Sequence, residues 1–168
     1  MLVSEVAGAD YATLLNELLD DAHKTTASLE GRASGVITTS GALVTLLFGF
    51  VAVASTTTHT LMPSSAVGHL AIALVFIVIA SAFAILVTLP LVFPDVSTGE
   101  MERLTEKPLW VYADRIEATR MIARSRVKTL RWTRRVNTAK GIVLAVAMVA
   151  EVVGIGFVAL TVIAVGAP

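Results

Sequence analysis

The chain has 168 residues, of which 55% are hydrophobic and only 15% charged, with a mean hydropathy of +0.79. Soluble domains carry about 25% charge, so this composition excludes an ordinary water-surrounded globule and calls for a second solvent. Thirteen basic side chains balance thirteen acids, and the absence of cysteine excludes disulfides, thiolate metal sites and cysteine nucleophiles.

Residues 1–34 predict an acidic amphipathic helix. Ser4 is a candidate N-cap, and Tyr11, Leu15, Leu18, Ala22, Thr25 and Leu29 recur at spacings of three and four. Six acids stand against Lys24 and Arg32, a net charge of −4. Because this stretch lacks a basic n-region and the first apolar run starts so late, a cleaved signal peptide is not expected.

From Ala33 to Phe93 there is no Asp, Glu, Lys or Arg. A hydrocarbon core of about 30 Å takes roughly 20 helical residues at 1.5 Å each, so this run suits two crossings. The first is placed at 35–55 and the second at 66–93, with a polar turn at 56–65 around STTTHTLMPSS. Pro90, Pro94 and Gly99 end the second span.

Residues 94–140 form a basic segment with a net charge of +5, in which a helix is expected from about Pro108. Leu109, Tyr112, Ala113, Ile116, Ala123, Val127 and Leu130 give it an apolar stripe. Beside that stripe Arg120, Arg124, Lys128, Arg131 and Arg135 fall within roughly 80° of arc. The helix continues into a third span at 141–165, broken only by Glu151. All Lys and Arg residues lie in 1–34 and 94–140, so the positive-inside bias places both in the cytoplasm and the C-terminus outside. The expected fold is an all-α membrane protein. Three transmembrane helices carry a cytoplasmic helical hairpin or bundle continuous with the first and third spans. Opposite charges would set its register.

Glu151 is the single Asp, Glu, Lys or Arg inside a span. A mid-membrane charge costs several kcal/mol unless neutralised, hydrated or paired, which makes it a functional candidate. It has three readings: hydrogen bonding to Thr38, Thr39, Ser40 or Thr45 of the first span or Ser81 of the second, a polar path in an oligomer, or proton relay. Small residues at Ala147, Ala150 and Gly154, and at Gly41, Thr45 and Gly49, offer close helix packing within or between chains. The basic stripe has its own alternatives: a bundle or solvated face, anionic lipid headgroups, or a soluble anion. Trp132 reads as an interface anchor. His23, His59 and His69 are dispersed, and no phosphate loop, metal motif, nucleophile elbow or carboxylate pair is present. Neither an enzyme nor a nucleic-acid binder is expected, nor any cofactor or metal. The lipid bilayer and further copies of the chain are the expected partners.

The junction Glu30-Gly31-Arg32-Ala33 before VITTSGALVTLLFGF, and Arg126–Ala145 reading RVKTLRWTRRVNTAKGIVLA, resemble the Pycsar transmembrane effector family and related SLATT-type bacterial membrane modules. The resemblance implies an anti-phage effector of the bacterial inner membrane that oligomerises and compromises the membrane when a sensor is triggered. Such effectors respond to a cyclic nucleotide, usually through an attached domain that does not fit in this sequence. The resemblance therefore assigns sensing to a separate nucleotide-signalling partner or to the basic helix. A membrane scaffold docking a partner through its cytoplasmic helices is the alternative.

Overall fold

The computed structural model describes residues 2–57, 64–90 and 115–166. They form three α-helices: α1 (Leu2–Thr57), α2 (Ser64–Thr88) and α3 (Arg115–Gly166). Each is long and apolar enough to cross a membrane. At 1.5 Å per residue, the 56-residue α1 and 52-residue α3 rise about 84 and 78 Å, far more than a bilayer core needs. α2 has 25 residues, the length of a single crossing. It ends at Thr88 because Pro90 disfavours helical geometry at Leu89, whose N–H still reaches the Ile85 carbonyl at 3.2 Å. The expected start near Pro108, and the stripe residues Leu109, Tyr112 and Ala113, lie outside the described residues.

Burial along every helix alternates by four and three. On α1 it runs through Ala22, Thr26, Leu29, Ala33, Val36, Ser40, Leu43 and Leu47. On α2 it runs through Ala66, Leu70, Ala73, Ile77, Ala80, Ala84 and Val87. On α3 it passes Leu130, Thr133, Asn137, Lys140, Leu144, Ala147, Glu151 and Gly154. A stripe held at 3.5 residues per turn is the signature of left-handed, knobs-into-holes packing. Thr26, not Thr25, takes the buried position in α1, and Tyr11 at the end of the expected stripe is exposed. Ala123 and Val127 are half-buried and Leu130 buried, on the face their spacing indicates.

The chain divides into two compact units. The first comprises 1–27 and 90–139, the second 28–89 and 140–168. In the second unit α1 and α3 run parallel, with partners 110 to 112 residues apart. Its core joins Ala33 and Val36 to Ala80, Ala84, Val87, Leu144, Ala147 and Ala150. Alanine at so many seam positions lets the helix axes approach closely, the usual way helices associate where lipid removes any hydrophobic drive. α2 meets α3 through Ala73 and Ile77 against Gly154, and through the ring of Phe76 stacked on Phe157 at 6.1 Å between centroids.

Candidate functional site

In the first unit the seam is polar where α1 meets α3. The Asn137 side-chain amide donates to the Ala22 carbonyl at 2.8 Å, and Thr26 Oγ1 donates to Asn137 Oδ1 at 2.8 Å. The Thr26 hydroxyl also lies 3.0 Å from the Ala22 carbonyl, so three groups close a buried ring of hydrogen bonds. About three turns away, the Arg126 guanidinium donates to Asn16 Oδ1. A buried asparagine at a seam position fixes register at some cost in stability. Asn137→Ala is expected to destabilise by about 1–3 kcal/mol, since it removes two buried hydrogen bonds between α1 and α3 and leaves a small void. Thr26→Val with Asn137→Leu should recover that loss and loosen register. Thermal unfolding together with the spread of cross-linked helix pairs measures both. On the outer surface Lys24 pairs with Asp20 at 2.7 Å, and that hydrogen bond holds its ammonium above the ordinary lysine range.

In the second unit Lys140 Nζ meets Glu30 Oε1 at 2.7 Å. The lysine side chain is 5% exposed and the glutamate 40%. This ion pair was not foreseeable from either residue alone, because each sits in a charged stretch that looks solvated. The signal was periodic. Lys140 continues the three-four spacing from Leu130, Thr133 and Asn137.

Eleven residues beyond Lys140, about 16 Å along the helix, stands Glu151. That rise is half a hydrocarbon core. Its carboxylate accepts from the Thr39 hydroxyl and, at 3.4 Å, from Ser40 Oγ. Ser40 is fully buried, whereas Thr39 is exposed and its hydroxyl also lies 3.1 Å from the Gly35 and Val36 carbonyls. Glu151 is half-buried, with one edge against α1 and the other open. Thr38 and Thr45 donate to their own helix instead, at 3.0 Å to Ser34 and Gly41, and Ser81 does the same to Ile77. No Lys or Arg forms an ion pair with Glu151 among the described residues.

The small residues divide into two kinds. Ala147 and Ala150 are buried in the core, and a Cβ at Gly154 would lie 2.9 Å from Ile77 Cγ1. A Cβ at Gly41 or Gly49 would meet nothing within 4 Å. Arg120, Arg124, Lys128, Arg131 and Arg135 are all exposed, and so is Trp132. His69 has its ring 6.2 Å from that of Phe157 and a buried Nδ1 without a hydrogen-bond partner, His23 is exposed, and His59 lies outside the described residues. Among the described residues no cluster of His, Asp or Glu could hold a metal ion.

Together these features provide a carboxylate met by two hydroxyl donors within an apolar helix, and a basic helix face. Comparison with known protein families, curated proteins and solved structures finds no match to this chain.

Proposed function

We propose that this chain is an oligomeric integral protein of a bacterial inner membrane, an effector that permeabilises the membrane when triggered. Its N-terminus and basic helix face the cytoplasm and its C-terminus lies outside, following the placement of Lys and Arg. The observation that carries the reading is Glu151. A carboxyl group half-open at the middle of a span costs several kcal/mol against lipid. A neighbouring copy relieves that cost by covering the open edge, or by enclosing it with water and the Thr39 hydroxyl in a polar path. The resemblance of residues 30–33 and 126–145 to Pycsar-type effectors supplies the purpose. The charged cytoplasmic helices are then the regulated part, acted on by a separate sensor or nucleotide-signalling partner.

The test reconstitutes the full chain in liposomes holding a self-quenched dye and expresses it in cells loaded with a potential-sensitive dye. Wild type is expected to release dye and depolarise cells, and Glu151→Ala to lower the leak rate at least tenfold. Glu151→Gln keeps the acceptor for Thr39 and should retain assembly while changing ion selectivity. Tight liposomes and polarised cells at every expression level, with and without added cyclic nucleotides or phage infection, would defeat the effector reading.

The exposed Arg120–Arg135 stripe favours a second reading, a non-enzymatic scaffold that docks an acidic partner. A stoichiometric foreign subunit on purification would support it.

A further inference from the structure

The outward faces of α1 and α3 complement each other at equal heights, and neither is covered among the described residues. In the first unit Asn16 pairs with Arg126 and Thr26 with Asn137, so a residue of α1 lies level with the α3 residue 110 or 111 positions later. By that register exposed Glu17 and Asp21 stand level with residues 127–132, within a turn of exposed Arg124, Arg131 and Arg135. In the second unit the offset is 110 to 112. There the exposed residues Gly35, Thr38, Ala42, Thr45 and Gly49 follow at three-four spacing and make a shallow groove of small side chains. Level with its first half, α3 presents Val146, Val149 and Val152, exposed by 45%, 64% and 68%.

We propose that α1 of one copy packs in parallel against α3 of the next copy, acids on arginines and small groove on valine ridge. Copies inserted alike in one membrane are related by rotation about its normal, so equal heights meet. The contact joins two different faces, so it repeats from copy to copy and forms a ring when the rotation closes. Groove and ridge supply the close packing that holds helices together in lipid, while the charges choose the partner face. A symmetric α1–α1 contact would set Glu17 and Asp21 against their own copies, and an α3–α3 contact would set arginine on arginine. Both are disfavoured by like charge. The inference rests on the oligomeric part of the proposed function and is independent of leakage.

Because the chain lacks cysteine, single thiols report cleanly. Differently tagged Ala42→Cys and Val152→Cys chains, co-expressed and treated in native membranes with copper phenanthroline or a short bismaleimide, are expected to cross-link to each other. Neither should cross-link to itself above a tenth of that yield. The chain carrying both thiols should give a ladder that ends at the ring number. Adding Glu17→Lys and Asp21→Lys should cut the yield about tenfold at low salt, and adding Arg124→Glu and Arg131→Glu to the same chain should restore it. Self-cross-linking of Ala42→Cys, or no product from the mixture with either reagent, overturns the proposal. An acid reversal that leaves the yield unchanged overturns it too; the stripe would then belong to lipid headgroups, visible as binding to phosphatidylglycerol vesicles. Cross-links without dye release sink the effector reading alone, and dye release without these cross-links sinks this interface alone.

Discussion

Glu30→Ala is expected to be among the most damaging single substitutions in the chain, and distinctly worse than Lys140→Met. The two side chains form one ion pair at 2.7 Å but do not share one environment. Lys140 is 5% exposed, so removing its partner leaves a buried ammonium with no compensating charge, a loss of about 3 kcal/mol or more. Glu30 is 40% exposed, so when the lysine is removed water reaches the carboxylate and the loss falls to about 1 kcal/mol. For a chain of this size the first loss corresponds to a drop of about 6–12 °C in Tm. Replacing both by methionine should recover most of it, because a buried pair seldom outperforms a well-packed apolar one. Detergent-solubilised protein followed by circular dichroism or a thermal-shift dye provides the measurement. Equal and small effects from the two single variants would mean that the pair contributes nothing to stability.

This pair also marks the limit of what the sequence discloses. Two of the three apolar runs were legible in the sixty-one residues from Ala33 to Phe93 without a charge, and the third in residues 141–165, where Glu151 is the only charge. All three helices are present, and each is long and apolar enough to cross a membrane. Glu151 was legible as a point of interest for the same reason, since a single acid in an apolar run stands out. Which hydroxyls would meet it was not. Thr38, Thr39, Ser40, Thr45 and Ser81 are chemically interchangeable, and each can satisfy its proton on the carbonyl four residues back. Only the phase of α1 against α3 separates Thr39 and Ser40 from Thr38 and Thr45. That phase is set by the polar seam, and the seam was hidden by its own composition. Thr26, Thr133, Asn137 and Lys140 occupy positions that a search for apolar stripes discards, although their spacing matches that of Leu130 and Leu144. In the first unit Glu17, Asp21, Arg124 and Arg131 are exposed, and the buried hydrogen bonds between α1 and α3 there are made by neutral amide, hydroxyl and carbonyl groups.

Gly154→Val is expected to split α2 from α3, whereas Gly49→Val should leave the single chain intact. A Cβ on residue 154 would come within 2.9 Å of Ile77 Cγ1 and 3.3 Å of the Ala73 carbonyl oxygen. The first atom can move by a change of rotamer. The second belongs to backbone and moves only if the helix does. Gly154→Ala alone should therefore cost about 1–3 kcal/mol, and the branched valine more, since its two methyls have nowhere to go in an alanine-lined seam. At Gly49 the same Cβ meets nothing within 4 Å, so a folded monomer tolerates valine and even gains helix propensity over glycine. The two variants thus separate internal packing from assembly. Gly154→Val should lower Tm by several degrees and raise protease sensitivity. Gly49→Val should keep Tm but reduce the α1–α3 cross-link between copies, because it fills the far end of the small-residue groove. Sedimentation or native mass spectrometry alongside unfolding distinguishes the outcomes. If Gly49→Val unfolds the monomer as readily as Gly154→Val does, α1 has a partner on that face within the chain, and the division between inward and outward small residues is wrong.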